Sequence, residues 1–407
     1  MPERFRAILL TILIFMYSGA FVQNDLLPVS ANVFTAISLG ITALLIAFHL
    51  KAMFRMTWQV KSIMLFLIIV GSSTLWSIIP DITFRRTIAL AGASALGIYI
   101  ASQYSLQQQI VLYSRVLILA VISSFLVAIV FPQNGIHQDL FHAGRWRGIT
   151  LHKNILGEWV GLCAVMLLFL PDDLLKIPRD FKTIFALLSI ILLILTGSLT
   201  SIVSFGLIVV LFPVIVILRA DFRLKTAIIL YFLAGVLLTT VIVTFNFSEL
   251  LEQIGRTPTL SGRSVIWPVI VSLISERPIL GYGYMSFFVP DSYWLQTGFT
   301  EIWRPEHAHN VWLDIGMDFG LTGIVVLAYI MLRSLQQSYE LYVRHAKTEV
   351  LLVVLLILNI LTRSMTETFA IRRRDVIWIM FISLLIRLHY EYNRRNHAAD
   401  SSLEYTV

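Results

Sequence analysis

The chain has 407 residues, 57% hydrophobic and 14% charged, with a mean hydropathy of +0.82 and a formal net charge of +7. That composition is far too apolar for a soluble fold, which it excludes, and it points to an all-α polytopic membrane protein. The basic residues sit in short segments between apolar runs, where they report orientation in the bilayer and leave no basic face for nucleic acid.

Hydropathy and polar breaks predict twelve spans, near 7–23, 31–50, 60–79, 87–103, 111–131, 155–171, 183–196, 199–218, 226–245, 310–332, 349–362 and 376–390. Twelve crossings put both termini on one side. The first run follows Arg4 and Arg6 and ends at Ser18-Gly19-Ala20, which resembles a signal-peptide cleavage site. Its removal would upset the loop parity, so it is retained as a span. Residues 1–245 therefore form nine spans with short connections, 246–309 one long outer loop, 310–390 the last three spans and 391–407 a cytoplasmic tail. A loop of that length in a compact protein is usually functional. The lone Cys163 lies in an apolar run and reads as packing.

With the N-terminus cytoplasmic, eighteen Lys and Arg residues fall on the inner side and thirteen on the outer. The positive-inside preference is obeyed, yet the outer side is rich in cations, and all of those thirteen except Lys153 are arginine. Arginine suits bidentate contact with phosphate. The excess points to an outer-face site for a phosphorylated ligand, against the plainer reading of contact with lipid head groups.

Two outer segments carry chemistry. Before span six the chain reads Gly144-Arg145-Trp146-Arg147-Gly148-Ile149-Thr150-Leu151-His152-Lys153-Asn154. Arg145, Arg147, His152 and Lys153 make a cationic rim, and an interface belt does not need a histidine and an asparagine beside glycine turns. In the long loop, Ser261-Gly262-Arg263 precedes an apolar run, Val265 to Ile274, too short to span and read as a helix at the interface or plugging the bundle. Then come Pro278-Ile279-Leu280-Gly281-Tyr282-Gly283, whose glycines suit a tight turn close to a ligand, Arg304, and His307-Ala308-His309-Asn310.

Other polar residues have plainer readings. His137 and His142 stand apart from the basic cluster and read as ordinary loop residues. Asp314 and Asp318 share a face of span ten and are expected to pair with an outer arginine, and Glu158 in span six is either functional or ion paired. Thr196 to Ser201 form a tight turn between two apolar runs. No convincing third ligand joins His307 and His309, so no metal or other cofactor is expected.

In this order the motifs resemble the O-antigen ligase and Wzy-type polymerase superfamily of bacterial surface polysaccharide assembly. The resemblance rests on Arg147-Gly148, His152-Lys153-Asn154, Gly157, Gly262-Arg263, Trp267, Pro278, Gly281-Tyr282-Gly283, and His307-Ala308-His309-Asn310 with Leu313. The histidine-lysine-asparagine element is most like that of the exopolysaccharide polymerases. The resemblance implies metal-independent, inverting glycosyl transfer from an undecaprenyl-diphosphate-linked glycan to an acceptor hydroxyl, in the bacterial inner membrane. It also implies that Arg147 and Arg263 hold the diphosphate, with Arg145, His152, Lys153 and Arg304 beside them. His309, with His307 as the alternative, would be the general base. A flippase and a chain-length regulator of the same pathway are the protein partners that such a role suggests.

The chemistry is coherent without the family. A sugar on diphosphate already has a good leaving group, so catalysis needs charge stabilisation on the departing oxygens and removal of one proton from the attacking hydroxyl. Arginines and one histidine suffice. The rival readings are a ligase that hands the glycan to lipid A core and a transporter or flippase. Transporters often show related halves and midplane charges, whereas here no repeat is visible and the charges gather at one face. The sidedness is open to test: cysteines placed in 246–309, in a Cys163→Ser background, are expected to react with an impermeant thiol reagent in intact spheroplasts, while one beside Lys225 stays unlabelled. Reversed labelling would invert the topology.

Overall fold

The computed structural model describes residues 3–20, 30–139, 142–175, 177–217, 263–289, 307–345, 347–365, 367 and 375–404. These residues are all-α, their β content a single antiparallel bridge between Ile136 and Trp146. The helices are α1 (Glu3–Tyr17), α2 (Ala31–Ala47), α3 (Leu50–Thr57), α4 (Lys61–Ser72), α5 (Pro80–Gln103), α6 (Leu106–Val130) and the single turn α7 (Pro132–Gly135). They continue with α8 (Lys153–Phe169), the turn α9 (Asp172–Leu175), α10 (Arg179–Thr196), α11 (Leu199–Ile217), α12 (Arg263–Glu276), α13 (Val311–His345), α14 (Thr348–Ser364) and α15 (Val376–Glu404).

A helix lies on every predicted span except 226–245, which falls outside the described residues. Among the described residues, α6 and α13 are long and apolar enough to cross a membrane, and α2 with α3, bent by 91° at their junction, form a broken span or a re-entrant pair. The chain is thus an all-α membrane protein.

Local signals set the helix ends. Ser105 and Gln108 form a reciprocal capping box at the start of α6, Pro80 occupies the first turn of α5, and α10 stops at Gly197 in the left-handed region. Helix α8 is buried without interruption from Leu156 to Leu167, which makes it the central helix, packed by α6, α10 and α11. Cys163 lies inside it and is buried, as packing requires. Helix α15 closes on α5 and α6 through polar bonds inside the apolar bundle: Trp378 Nε1 donates to Ser94 Oγ at 2.8 Å, and the Tyr113 and Ser383 hydroxyls lie 2.6 Å apart.

Helix α13 is broken at Gly320 (φ 62°, ψ −155°). A break exposes backbone groups, and an apolar bundle offers no water to satisfy them. Residues 278–283 supply the partners. Leu321 N donates to Pro278 O at 2.7 Å, Tyr282 N to Met317 O at 2.7 Å and Gly283 N to Asp318 O at 3.0 Å. The same segment is held on its other side by the α4–α5 connection, where Ile78 N donates to Tyr282 O and Trp76 Nε1 to Leu280 O. Gly281 and Gly283 were expected to bring the loop close to a ligand. They bring it close to the protein backbone instead: a Cβ on Gly281 would lie 2.5 Å from Met317 O, and one on Gly320 2.5 Å from Ile279 C. Helix α12, the expected interfacial helix, sits beside this junction in a small cluster of Ile266, Ile270, Leu273, Tyr282, Phe287 and Met317.

Gly281→Ala and Gly320→Ala combine left-handed strain with backbone overlap and are each expected to cost at least about 2 kcal/mol. Thermal unfolding in detergent measures this. Gly40→Ala, whose new methyl would meet nothing within 4 Å, serves as the unaffected control.

Candidate functional site

The segment His307–Asn310 is clamped just before α13. Asn310 Oδ1 accepts the N–H groups of Trp312 and Leu313 at 2.9 and 3.2 Å, capping the helix, while its Nδ2 donates to Met365 O at 3.0 Å. Asp314 Oδ1 accepts Ala308 N at 2.8 Å, and Trp267 Nε1 of α12 donates to Ala308 O at 2.9 Å. The two histidine rings lie 4.0 Å apart between centroids, and His307 Nδ1 accepts the backbone N–H of His309 at 3.2 Å. His309 adopts φ 52°, one of two non-glycine residues in the left-handed region among the described residues. Such a conformation is uncommon for a histidine and persists only where the surroundings over-determine it.

His309 Nδ1 lies 3.4 Å from Glu367 Oε2, with 26% of the histidine side chain exposed and 6% of the glutamate's. The other carboxylate oxygen, Glu367 Oε1, accepts Asn154 Nδ2 at 2.8 Å. Glu367 therefore joins the His-Ala-His-Asn segment to the His-Lys-Asn element, which are remote in sequence. Below them Arg363, expected as an outer cation, is buried in the last turn of α14. Its Nε lies 3.4 Å from Glu158 Oε1, its Nη1 donates to Ser201 Oγ at 2.6 Å, and its Nη2 to Asn154 O at 3.4 Å. This resolves Glu158 as ion paired. Asp314 and Asp318 were expected to meet an arginine; each accepts a backbone N–H, from Ala308 and Met285 respectively, and Arg86 donates to the carbonyl of the same Met285.

The segment before α8 folds onto the turn after α10. Trp146 N donates to Leu195 O at 3.1 Å, Lys153 Nζ to Gly197 O at 3.4 Å, and the exposed Arg145 lies across Gly197. Thr196 to Ser201 thus do more than connect two helices. Arg147 donates through Nε to Asn134 O at 2.7 Å and through Nη2 to Gln133 O at 3.3 Å, so its plane is fixed by protein carbonyls. Of the other predicted ligand residues, Arg263 begins α12, its side chain lying outside the described residues, and Arg304 lies wholly outside them.

His152 caps α8, its Nδ1 accepting Asn154 N at 3.2 Å, and His137 Nε2 accepts the adjacent Lys153 N at 3.2 Å. His142 completes a cluster, with the three ring centroids 5.0–5.2 Å apart. Asp139 lies 3.0 Å from His137 Nδ1 and 2.9 Å from His142 Nδ1. His137 and His142 are therefore not ordinary loop residues. Their signal in the sequence was proximity to His152 along one short segment. The ligand atoms of His137, Asp139 and His142 lie within 4.8 Å of one another, the spacing of a candidate metal centre. Tautomer chemistry opposes it: His137 Nε2 accepts an N–H, so in the neutral ring Nδ1 carries the proton and has no lone pair for a metal. Burial lowers the His137 pKa to about 4, helped by the positive charge of Arg147 and opposed by Asp139. Burial, followed by His142 and His137, lowers that of His152 to about 3.

Residues 184–328 match the family described as O-antigen ligase. That match takes in the long loop and the His-Ala-His-Asn segment and leaves Arg147 to Gly157 outside it. A Rickettsia conorii protein that carries the provisional name polysaccharide ligase is 30% identical over 166 residues, 38% of this chain and 39% of that protein. The exopolysaccharide production protein ExoQ of Rhizobium meliloti is 26% identical over 108 residues, 24% of this chain and 23% of its own length. The chain thus matches about two fifths of the first relative and under a quarter of the second. The resemblance to the O-antigen ligase and Wzy-type superfamily is borne out by these matches.

Both helix-capping imidazoles must be neutral to accept their N–H groups. Free histidine titrates near 6.5, so between about pH 6.5 and the lowered folded values the unfolded chain takes up protons that the folded chain refuses. Stability is expected to fall as pH drops through that window. His152→Asn keeps a capping acceptor and removes the titration, so its melting temperature should fall less between pH 7 and pH 4; an equal fall would remove His152 from the acid response.

Proposed function

We propose that this membrane protein, similar in sequence to the O-antigen ligase and Wzy-type superfamily, polymerises undecaprenyl-diphosphate-linked oligosaccharide units at the periplasmic face of the bacterial inner membrane. The observation that carries this reading is His309, a partly exposed imidazole held in a strained backbone position and joined through Glu367 and Asn154 to the arginine-rich outer segment. In the proposed topology twelve spans leave both termini cytoplasmic and the segment 246–309 periplasmic.

The acceptor hydroxyl attacks the anomeric carbon from the face opposite the diphosphate. The new C–O bond forms as the bond to the diphosphate oxygen breaks, the hydroxyl proton passes to His309, and undecaprenyl diphosphate departs with inversion. Arg147 and Arg263 hold the departing phosphates, with Arg145, His152, Lys153 and Arg304 lining the approach. Two carbonyls orient Arg147 and leave the Nη1 edge of its guanidinium for a phosphate, which favours that role. His307 suits the base less well, because its Nδ1 already accepts an N–H and its neutral ring then carries the proton on Nε2.

A second reading, transfer of the glycan to lipid A core, is favoured by the description of the matched family and by the name of the Rickettsia relative. The two readings differ in acceptor. Purified protein with lipid-linked repeat units alone is expected to yield a polymer ladder and free undecaprenyl diphosphate; product only on addition of lipid A core would make it a ligase, and no released diphosphate lipid would make it a transporter. His309→Ala should retain donor binding and lose on the order of 10²–10⁴ in rate, with His307→Ala milder. Arg147→Lys and Arg263→Lys should each impair transfer, since lysine keeps the charge and loses the two-pronged contact. Full activity of both lysine variants would remove these arginines from the site.

A further inference from the structure

Glu367 was not marked by any sequence motif, yet it lies between the two elements that the proposed reaction needs. Its Oε1 receives Asn154 Nδ2 at 2.8 Å, and its Oε2 lies 3.4 Å from His309 Nδ1, a ring nitrogen that donates or accepts according to the tautomer. As the anion Glu367 only accepts, so the contact with His309 is a hydrogen bond only when Nδ1 carries the proton. It therefore holds the proton of a neutral His309 on Nδ1 and leaves the lone pair on Nε2. The reverse tautomer would set two lone pairs against each other. Asn154 stands on rigid ground, since it lies in the first turn of the central helix α8 and its carbonyl is gripped by Arg363. On the other side, the cap of α13 by Asn310 and the bond from Asn310 to Met365 O, two residues before Glu367, hold both partners of the contact in register.

We infer that Glu367 is the positioning residue of this site, a carboxylate anchored by Asn154 that fixes the tautomer and ring plane of His309 so that Nε2 receives the acceptor's proton. The inference rests on the reaction proposed above. It adds the atom that accepts the proton and the residue that aims it. A 3.4 Å contact before substrate binds is in keeping with catalytic hydrogen bonds that tighten in the reacting complex. The role parallels the general arrangement in which a base is oriented by a third group through its other nitrogen.

Kinetics and a tautomer measurement test the inference together. Glu367→Gln is expected to lower kcat by about ten- to a hundredfold, a share of what general-base catalysis contributes, with the KM for the lipid-linked donor within about twofold. Glu367→Asp, which keeps the anion on a shorter arm, should recover part of the loss. In the His309→Ala background Glu367→Gln should cost nothing more, because its effect acts through the missing ring. A loss that multiplies with that of His309→Ala, or one confined to KM, would overturn the inference. In parallel, 15N spectra of histidine-labelled protein, with the His309 signal assigned by its disappearance in His309→Ala, should show the Nδ1–H tautomer at neutral pH and a change in Glu367→Gln. An Nε2–H signal in the unmodified protein, or no change in the variant, would also overturn it. The spectra do not depend on turnover: a wild-type protein that transfers no glycan would sink the proposed function while the spectra still judge the contact between Glu367 and His309.

Discussion

An unpaired polar group inside an apolar bundle costs several kcal/mol, and this constraint arranges the candidate site. Arg363 and Glu158 are both almost fully buried and can remain so only as a pair. Removing one partner of such a pair typically costs about 3–5 kcal/mol, because the other charge is left stranded. Arg363 does not stop at Glu158. Its remaining donors reach Ser201 and the carbonyl of Asn154, so α8, α11 and α14 are drawn to one point. From there the Asn154 amide reaches Glu367, and Glu367 reaches His309. The outermost member of the network, the histidine, is left partly open to solvent.

The same constraint explains the broken helix. Helix α13 does two jobs that a straight helix would separate: its first turn caps and steadies His309, and its break at Gly320 receives residues 278–283. The loop satisfies the groups that the break exposes. The α4–α5 connection and the first turn of α5 in turn satisfy the loop, with Ser73 and Thr83 bonded to the backbone of Tyr284. Helix α12 is thereby held beside α13, with its Trp267 on Ala308. A site carried by loops gains the rigidity of the helices through such second contacts, which a base that must sit within about 3 Å of its proton requires.

The segment before α8 is organised by neutral histidines. Two imidazoles serve as acceptors at the N-terminus of the central helix, where Ser, Thr, Asp or Asn is the usual choice. Arg147 and Lys153 share that segment, and their positive charge helps to keep the rings neutral. Asn154 is the third residue of this cap region, so the geometry of the cap passes directly to the amide that anchors Glu367.

By itself the sequence determined the class of the molecule. Runs of apolar residues long enough to cover the hydrocarbon thickness, broken by cationic segments, specify a helical membrane protein, and a helix lies on each predicted span within the described residues. Local patterns also sufficed for the short helix after Arg263 and for the family resemblance, since periodicity, hydropathy and motif order are all properties of neighbouring residues. What only the tertiary structure decided are the pairings between distant residues. Asn154 and Glu367 are 213 positions apart, and Arg363 and Ser201 are 162 apart. A glutamate after a span, an arginine at its end and two glycines in a loop each have several local readings. The choice among them comes from which polar groups the packed bundle leaves facing one another, because there each must find a partner or pay the full cost of burial.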